Sequence, residues 1–513
     1  MSLVVDWRVS VGLVGSVYRY LSVPLLVPVL VALVYGEDPL PFLVTILVAV
    51  GVGTGLRRLT PDRDLGKREG FLLVALTWLA VPLLGTVPYL VAGNGTIAAP
   101  ANALFESMSG FTTTGATVLG DISFETHSHA MLMWRQLSQW LGGMGILVLM
   151  VAILPDLSVG GAAVMREEAP GFGIDKLTPK IRETARILWL IYLGFTALAA
   201  LVYYGLGVAG LAPEMGVYNA VAHALTTLPT GGFSPEARSI EAFSPAIQWA
   251  VVPFMIIAGT NFALFWYAVA GQPRRLLENE EFRSYLLVMV AFGVVVTGLL
   301  YAGLGAGLSS IAEGVAPIAG EVERAARHAA FQTAAIVTTT GYASMDFNTW
   351  SEAAKVLLLF AMFLGGSAGS AAGSVKIVRW LLVSRTVRRE LFTTVHPEAV
   401  RPVRVDGEVL DESTLRGLAV FVLVFLLLFA LTTLILFLDG VTNPALDLSA
   451  LESMSAAIAT VGNVGPGFGV VGPMGSYTDF SAPAKGWMVL AMWLGRLEII
   501  SVILVLTPTY WRS

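Results

Sequence analysis

Cysteine is absent from the 513 residues. The chain therefore holds no disulfide, no thiol nucleophile and no thiolate-bound metal. Charge is scarce as well, at 13% of residues, where a soluble globular chain carries about 25%. The 31 Lys and Arg against 36 Asp and Glu leave a net charge of −5. That balance argues against a nucleic-acid partner, since such surfaces are basic. The five histidines (His127, His129, His223, His328 and His396) are scattered, and none forms His-Glu-x-x-His or another metal spacing. His127 and His129 fall in a polar loop, where solvation is expected. There is no Walker A motif, and Gly303-Leu-Gly-Ala-Gly307 ends an apolar run instead of following a strand. Without a convergent catalytic set, the chain is not expected to be an enzyme or to carry a cofactor.

Hydrophobic residues fill the space that charge leaves, at 56% of the chain with a mean hydropathy of +0.74. An all-α polytopic membrane protein is expected. A hydrocarbon core of ~30 Å takes about 20 apolar helical residues. Such stretches occur at 11–34, 40–56, 70–92, 130–155, 187–209, 246–271, 285–307, 351–382, 417–438 and 486–510. The first is too long, and lacks the small-residue cleavage site, for a signal peptide. Loops 57–69, 156–186, 272–284 and 376–416 hold 21 Lys and Arg, against 6 in the opposite-side segments. The positive-inside rule makes the basic side cytoplasmic. Both termini are then cytoplasmic, and the membrane is the plasma membrane. The outer segments carry 17 Asp and Glu, a field that would concentrate cations.

Glycine is in excess, with 53 residues, about a tenth of the chain against a usual ~7%. Much of it recurs in a pattern. Four outer segments carry an apolar stretch too short to span, then a Thr/Gly-rich run. They are Ala103 to Gly115, Ala220 to Gly232, Phe331 to Gly341, and Ala450 to Gly467. Phe105 and Phe331 each lie ten residues before Gly115 and Gly341, and Glu106-Ser-Met-Ser109 recurs as Glu452-Ser-Met-Ser455. Each run sits between two full spans. The expected architecture is four pseudo-symmetric helix–re-entrant loop–helix repeats at 70–155, 156–271, 272–382 and 383–513, plus two extra N-terminal helices within 1–69. Non-helical backbone at membrane depth is tolerated where it lines a water-filled path. Gly turns carbonyls freely, and Thr adds hydroxyls without charge. Both suit the replacement of an ion's hydration shell.

Within the eighth span, Gly365, Gly366, Ser367, Gly369, Ser370, Gly373 and Ser374 crowd ten positions, and Lys376 follows. Each helix-interior Gly costs about 1 kcal/mol relative to Ala. Unwound backbone is expected here, with close packing of small residues as the alternative. Arg496 lies inside the last span, where a charge is expensive and usually functional; a structural ion pair is the alternative.

These residues resemble the Trk/Ktr/HKT superfamily of potassium transporters, and its Trk-type membrane subunit in particular. The resemblance covers about 70–510. It rests on Glu106-Ser-Met-Ser-Gly-Phe-Thr-Thr-Thr-Gly-Ala-Thr117, on Trp134-Arg135 with Gln139-Trp140-Leu-Gly-Gly-Met-Gly145, and on Thr230-Gly-Gly-Phe-Ser234. It continues through Thr338-Thr-Thr-Gly-Tyr342, Gly365-Gly-Ser-Ala-Gly-Ser370, Asn463-Val-Gly-Pro-Gly467 and Gly495-Arg-Leu-Glu498, with cytoplasmic Pro170-Gly171 and Lys176-Leu-Thr-Pro-Lys180.

The resemblance implies potassium uptake through a filter with one glycine per repeat: Gly115, Gly232, Gly341 and Gly465. Their neighbours Thr113, Thr114, Thr230, Gly231, Thr339, Thr340, Asn463 and Val464 complete it. Gly231 competes with Gly232, and ungapped alignment of the two Glu-Ser-Met-Ser motifs points near Gly462 instead of Gly465. A Gly at the first position implies K⁺, where Ser would admit Na⁺. The resemblance further implies a gate at 365–374 with Lys376 and Arg496 beside it, a homodimer, and a separate cytosolic nucleotide-binding subunit docking on 156–186 and 376–416. A sodium-permeable protein, or an ion-coupled carrier of another substrate such as ammonium, is the alternative.

Overall fold

The structure, a computed structural model, describes residues 5–59, 66–152, 177–303, 318–497 and 499–512. It is mostly helical, as long apolar runs must be where no water satisfies the backbone. Six helices among the described residues are long and apolar enough to cross a membrane: Trp7–Tyr35, Leu40–Arg57, Arg68–Ala92, Glu183–Val208, Glu280–Tyr301 and Glu412–Thr442. The motifs at Pro170-Gly171 and Lys176, Gly307 and Glu498 lie outside the described residues. So does most of loop 156–186, whose last ten residues belong to helix Leu177–Val208.

Spans 11–34 and 70–92 are each two successive helices, Trp7–Leu21 with Leu26–Tyr35 and Lys67–Gly85 with Val87–Ala92, and three more of the expected spans are divided. The stretch 246–271 is two helices, Pro245–Ala258 and Phe262–Val269, bent by 97°. The carbonyls freed at the bend find partners elsewhere, since Ala258 and Gly259 accept from Ala371 and Ser367, and Asn261 caps the second half through Ala263 N–H at 2.9 Å. The stretch 351–382 contains helix Glu352–Met362 and the start of Ile377–Val395, with non-helical backbone between. The stretch 486–510 divides into Ala482–Arg496 and Ile500–Leu506.

The N-terminal helices pack through small residues. A Cβ on Gly15 would meet Gly53 O at 2.6 Å, and the converse holds, a contact that lets two backbones approach closely. Tyr18 donates to Ala80 O at 2.6 Å, which seats this pair on helix Lys67–Gly85. In the turn before Leu40–Arg57, Glu37 caps helix His129–Ala152, accepting from His129 N at 2.7 Å and Ala130 N at 2.9 Å.

Of the two loop histidines, His129 is half-buried and His127 buried. His129 stacks between Tyr35 and Phe124, with ring centroids 3.9 and 4.0 Å away. His127 is 1% exposed, and burial, followed by the charge of Arg135, lowers its pKa to about 4. Four short helices lie among the long ones: Pro100–Phe111, Val217–Thr227, Val322–Val337 and Ala450–Val461. Pro100 starts the first at the position where its missing N–H costs nothing. Ser449 and Glu452 form a capping box on the fourth.

Candidate functional site

Each short helix ends the same way. Its last turn is followed by a residue in the left-handed region, with φ of 53° at Thr113, 56° at Thr230, 57° at Thr339 and 53° at Asn463. A helix commonly ends on a left-handed residue, but that residue is usually Gly. A β-branched side chain there is a genuine outlier, and such strain costs about 1–3 kcal/mol and clusters at functional sites. The turn is held by bonds back into the helix, among them Thr114 N to Ser109 O and Gly231 N to Thr226 O, both at 2.9 Å, and Val464 N to Ala459 O, also at 2.9 Å. Two residues beyond each outlier stands a glycine with positive φ: Gly115, Gly232, Gly341 and Gly465. The competing Gly231 and Gly462 lack positive φ.

These four glycines close a ring. A Cβ on Gly115 would stand 2.1 Å from Gly231 O, one on Gly232 1.9 Å from Thr340 O, one on Gly341 2.2 Å from Val464 O, and one on Gly465 2.5 Å from Thr114 O. Each glycine packs against the carbonyl of the residue preceding the next glycine, and the fourth returns to the first. Only glycine fits such an approach. On one side of the ring lies a small open recess of about 50 Å³, bordered by Thr117, Glu236, Ser239 and Tyr477 as well as by the ring glycines.

The chain leaving each glycine is clamped by the short helix before it, through residues to which the sequence assigned no such role. Glu106, nine residues before Gly115, accepts from Val118 N at 2.8 Å and Thr117 Oγ1 at 3.0 Å. His223, nine before Gly232, meets Ser234 Oγ at 3.0 Å. Gln332, nine before Gly341, accepts from Ser344 N at 2.9 Å and donates to Tyr342 O at 3.2 Å. In the fourth segment Ser455 accepts from Phe468 N at 2.8 Å. A polar residue with hydrogen-bonding reach at that fixed offset in three of the four helices was the available signal. Flanking helices contribute too. Arg135 donates to Glu106 at 2.6 Å and to Ser234 O at 3.1 Å, and its guanidinium lies 3.8 Å from the Phe233 ring centroid. Gln139 donates to Gly231 O at 2.7 Å and accepts from Phe233 N at 3.0 Å.

On the other side of the ring lies the glycine-rich break at 363–376, which is irregular, turn-containing backbone instead of packed helix. Leu364 pairs in parallel with Val375, and Gly365 N donates to Val375 O at 2.8 Å. Ser370 donates to Ser367 O at 2.6 Å. Gly366 and Gly369 abut the bend of the 246–271 region: a Cβ on them would meet Gly259 O at 2.5 Å and Asn261 Oδ1 at 2.6 Å. Gly373 touches two ring segments. Its N–H donates to Thr339 Oγ1 at 2.7 Å, and its Cα faces Gly462 O, 2.4 Å from a built Cβ. Lys376 is buried and donates to Ala372 O. Arg496, 4% exposed, donates to Ala371 O at 2.9 Å.

The residues expected at a filter and those expected at a gate are thus in contact. The chain matches the family model described as TrkH, cation transport protein, over residues 42–512. It is similar to the Trk system potassium uptake protein TrkH of Vibrio parahaemolyticus, 36% identical over 99% of this chain and 100% of that one. Its similarity to the protein of the same name from Escherichia coli is 34% over the same shares. The crystal structure of the potassium transporter TrkH from Vibrio parahaemolyticus superposes with a TM-score of 0.85 at 34% identity, covering 99% of this chain and 100% of that one.

Proposed function

The chain belongs to the TrkH family of cation transport proteins, and from that premise we propose that it takes up K⁺ across the plasma membrane through the ring at Gly115, Gly232, Gly341 and Gly465. It is a multi-pass membrane protein, in which the four ring segments belong to repeats 70–155, 156–271, 272–382 and 383–513, with both termini cytoplasmic. The observation that carries this reading is the closed ring itself. Four segments with one local conformation meet where no side chain intervenes, and the C-terminal ends of four helices, which bear partial negative charge, converge beside it. Backbone oxygens in such a ring can replace the hydration shell of a cation. The carboxylates of the outer segments raise the local cation concentration at the recess.

The segment 363–376 is the gate in this reading. It lies against the ring through Gly373, and Arg496 holds it while placing a positive charge below the path. Arg496→Ala frees the Ala371 carbonyl and removes that charge, so K⁺ flux is expected to rise several-fold in protein that still folds. Unchanged flux would remove Arg496 from the gate. As the family works, a second copy of the chain and a cytosolic nucleotide-binding subunit complete the assembly, the latter docking on the basic loops 156–186 and 376–416.

The deciding experiment is K⁺ and Na⁺ flux into liposomes holding the purified protein, with and without an imposed proton gradient. K⁺ flux that exceeds Na⁺ flux and ignores the gradient supports this reading. Gradient-dependent flux supports a coupled carrier instead. Gly115→Ser is the matching variant: its Cβ presses on Gly231 O, and the K⁺ over Na⁺ preference is expected to fall about tenfold, equivalent to ~1.4 kcal/mol. An unchanged ratio would count against Gly115 as a filter residue.

A further inference from the structure

The gate segment is held from the cytoplasmic side by one carboxylate that the transport reading does not use. Glu281 lies in the first turn of helix Glu280–Tyr301 and is 2% exposed. Its Oε1 accepts from Ala368 N at 2.7 Å and from Val378 N at 3.2 Å. Ala368 is in the middle of the gate segment, and Val378 is in the first turn of the helix that follows it. A single oxygen therefore staples the segment to the helix it leads into. Charge-assisted bonds of this kind are stronger than neutral ones.

The start of helix Glu280–Tyr301 is itself held by a surface element. Strands Arg404–Val405 and Glu408–Val409 form a hairpin whose turn, Asp406-Gly407, has both residues at positive φ, as a two-residue hairpin turn demands. Asp406 accepts from Asn279 Nδ2 at 3.0 Å and from Glu280 N at 2.8 Å. Asn279 in turn caps the helix, accepting from Phe282 N at 2.8 Å. Arg385, on the helix after the gate segment, pairs with Glu280 at 2.7 Å.

We propose that Glu281 is a positioning residue that couples the gate segment to the 404–409 hairpin, so that displacing the hairpin releases the gate. This rests on the reading of 363–376 as a gate. The hairpin is the exposed end of the path and the helix start is its lever. Two hydrogen bonds at Asp406 and two at Glu281 join them, with one peptide unit between Glu280 and Glu281. A partner that pulls on the hairpin thereby reaches Ala368 without touching the membrane-embedded backbone.

The test is K⁺ flux into liposomes holding the full chain alone. Glu281→Ala is expected to raise it about tenfold, within the usual range of couplings between sites, with the K⁺ to Na⁺ ratio unchanged because the ring is not altered. Glu281→Gln, which keeps an acceptor oxygen, lies between wild type and Ala. Asp406→Ala, on the surface, raises flux in the same direction. The double variant gives no more than the larger single effect, as two steps of one path require. If Arg496→Ala raises flux while Glu281→Ala does not, the coupling is wrong and the gate stands. If neither changes flux, the gate reading itself fails. Should Glu281→Ala not fold, Asp406→Ala decides: unchanged flux overturns the proposal.

Discussion

Replacing Gly232 by alanine is expected to abolish K⁺ flux, whereas the same change at Gly231 leaves a measurable fraction of it. At Gly232 the backbone φ is +76°, and the new Cβ would stand 1.9 Å from Thr340 O and 3.0 Å from Thr340 C. Both atoms are backbone of the next ring segment, so neither can rotate away. The left-handed conformation alone costs an alanine about 1–2 kcal/mol, and relief of the clash must open the ring. Flux is expected to fall by more than about 100-fold, since misplacement by about 1 Å at a functional site can cost that much. At Gly231 φ is not positive, and the Cβ meets the Gln139 side-chain amide at 2.4 Å. That amide can swing aside, at the loss of its bonds to Gly231 O and Phe233 N, each worth about 1 kcal/mol. Rubidium or potassium uptake by liposomes, on protein that elutes as a single species, separates the two. Wild-type flux through Gly232→Ala would show that the ring is not the path.

That comparison also marks where the sequence stopped. Gly231 and Gly232 are chemically identical neighbours; the shared register of Phe233 and Tyr342 favours Gly232 in the sequence, and backbone torsion and the approach of Thr340 distinguish it in the structure. In the fourth segment the repeated Glu-Ser-Met-Ser motif misleads: Glu106 lies nine residues before its ring glycine, whereas Glu452 lies 13 before Gly465. The shift is about one helical turn. Glu452 consequently sits in a capping box, while Glu106 reaches the chain beyond Gly115. The Gly-Pro-Gly context selected the position that closes the ring, and sequence identity did not. The non-helical break at 363–376 was legible from composition, because so many glycines at membrane depth are incompatible with a stable helix. The bend at 259–261 was not, because one Gly in an apolar run is tolerated. The N–H groups that donate to its freed carbonyls belong to Ser367 and Ala371, far along the chain. Glu281 was invisible for a similar reason: an acid in the first turn of a helix needs no special explanation, and its partners at 368 and 378 appear only once the chain is folded.

The buried pair of Arg135 and Glu106 is where the second large effect is expected. Glu106 is 0% exposed and Arg135 1%, with Nε and Oε1 2.6 Å apart. Arg135→Met leaves an ionised carboxylate with no counter-charge bonded to it, and removing one partner of a buried pair costs about 3–5 kcal/mol. The thermal midpoint should fall sharply and the variant should lose K⁺ flux. Joint replacement, Glu106→Gln with Arg135→Met, removes both charges and should recover most of the stability, because a buried pair is often no better than a neutral substitute of similar volume. It should not recover selectivity. The pair holds two ring segments at once, Val118 N through Glu106 and Ser234 O through Arg135, and the joint replacement cuts the second of these while Phe233 loses the guanidinium over its ring. A folded double variant with a diminished K⁺ to Na⁺ ratio is therefore expected from flux measurements beside the melting curve. A double variant that is stable and fully selective would mean that the ion pair only fills space, and that the ring keeps its shape without it.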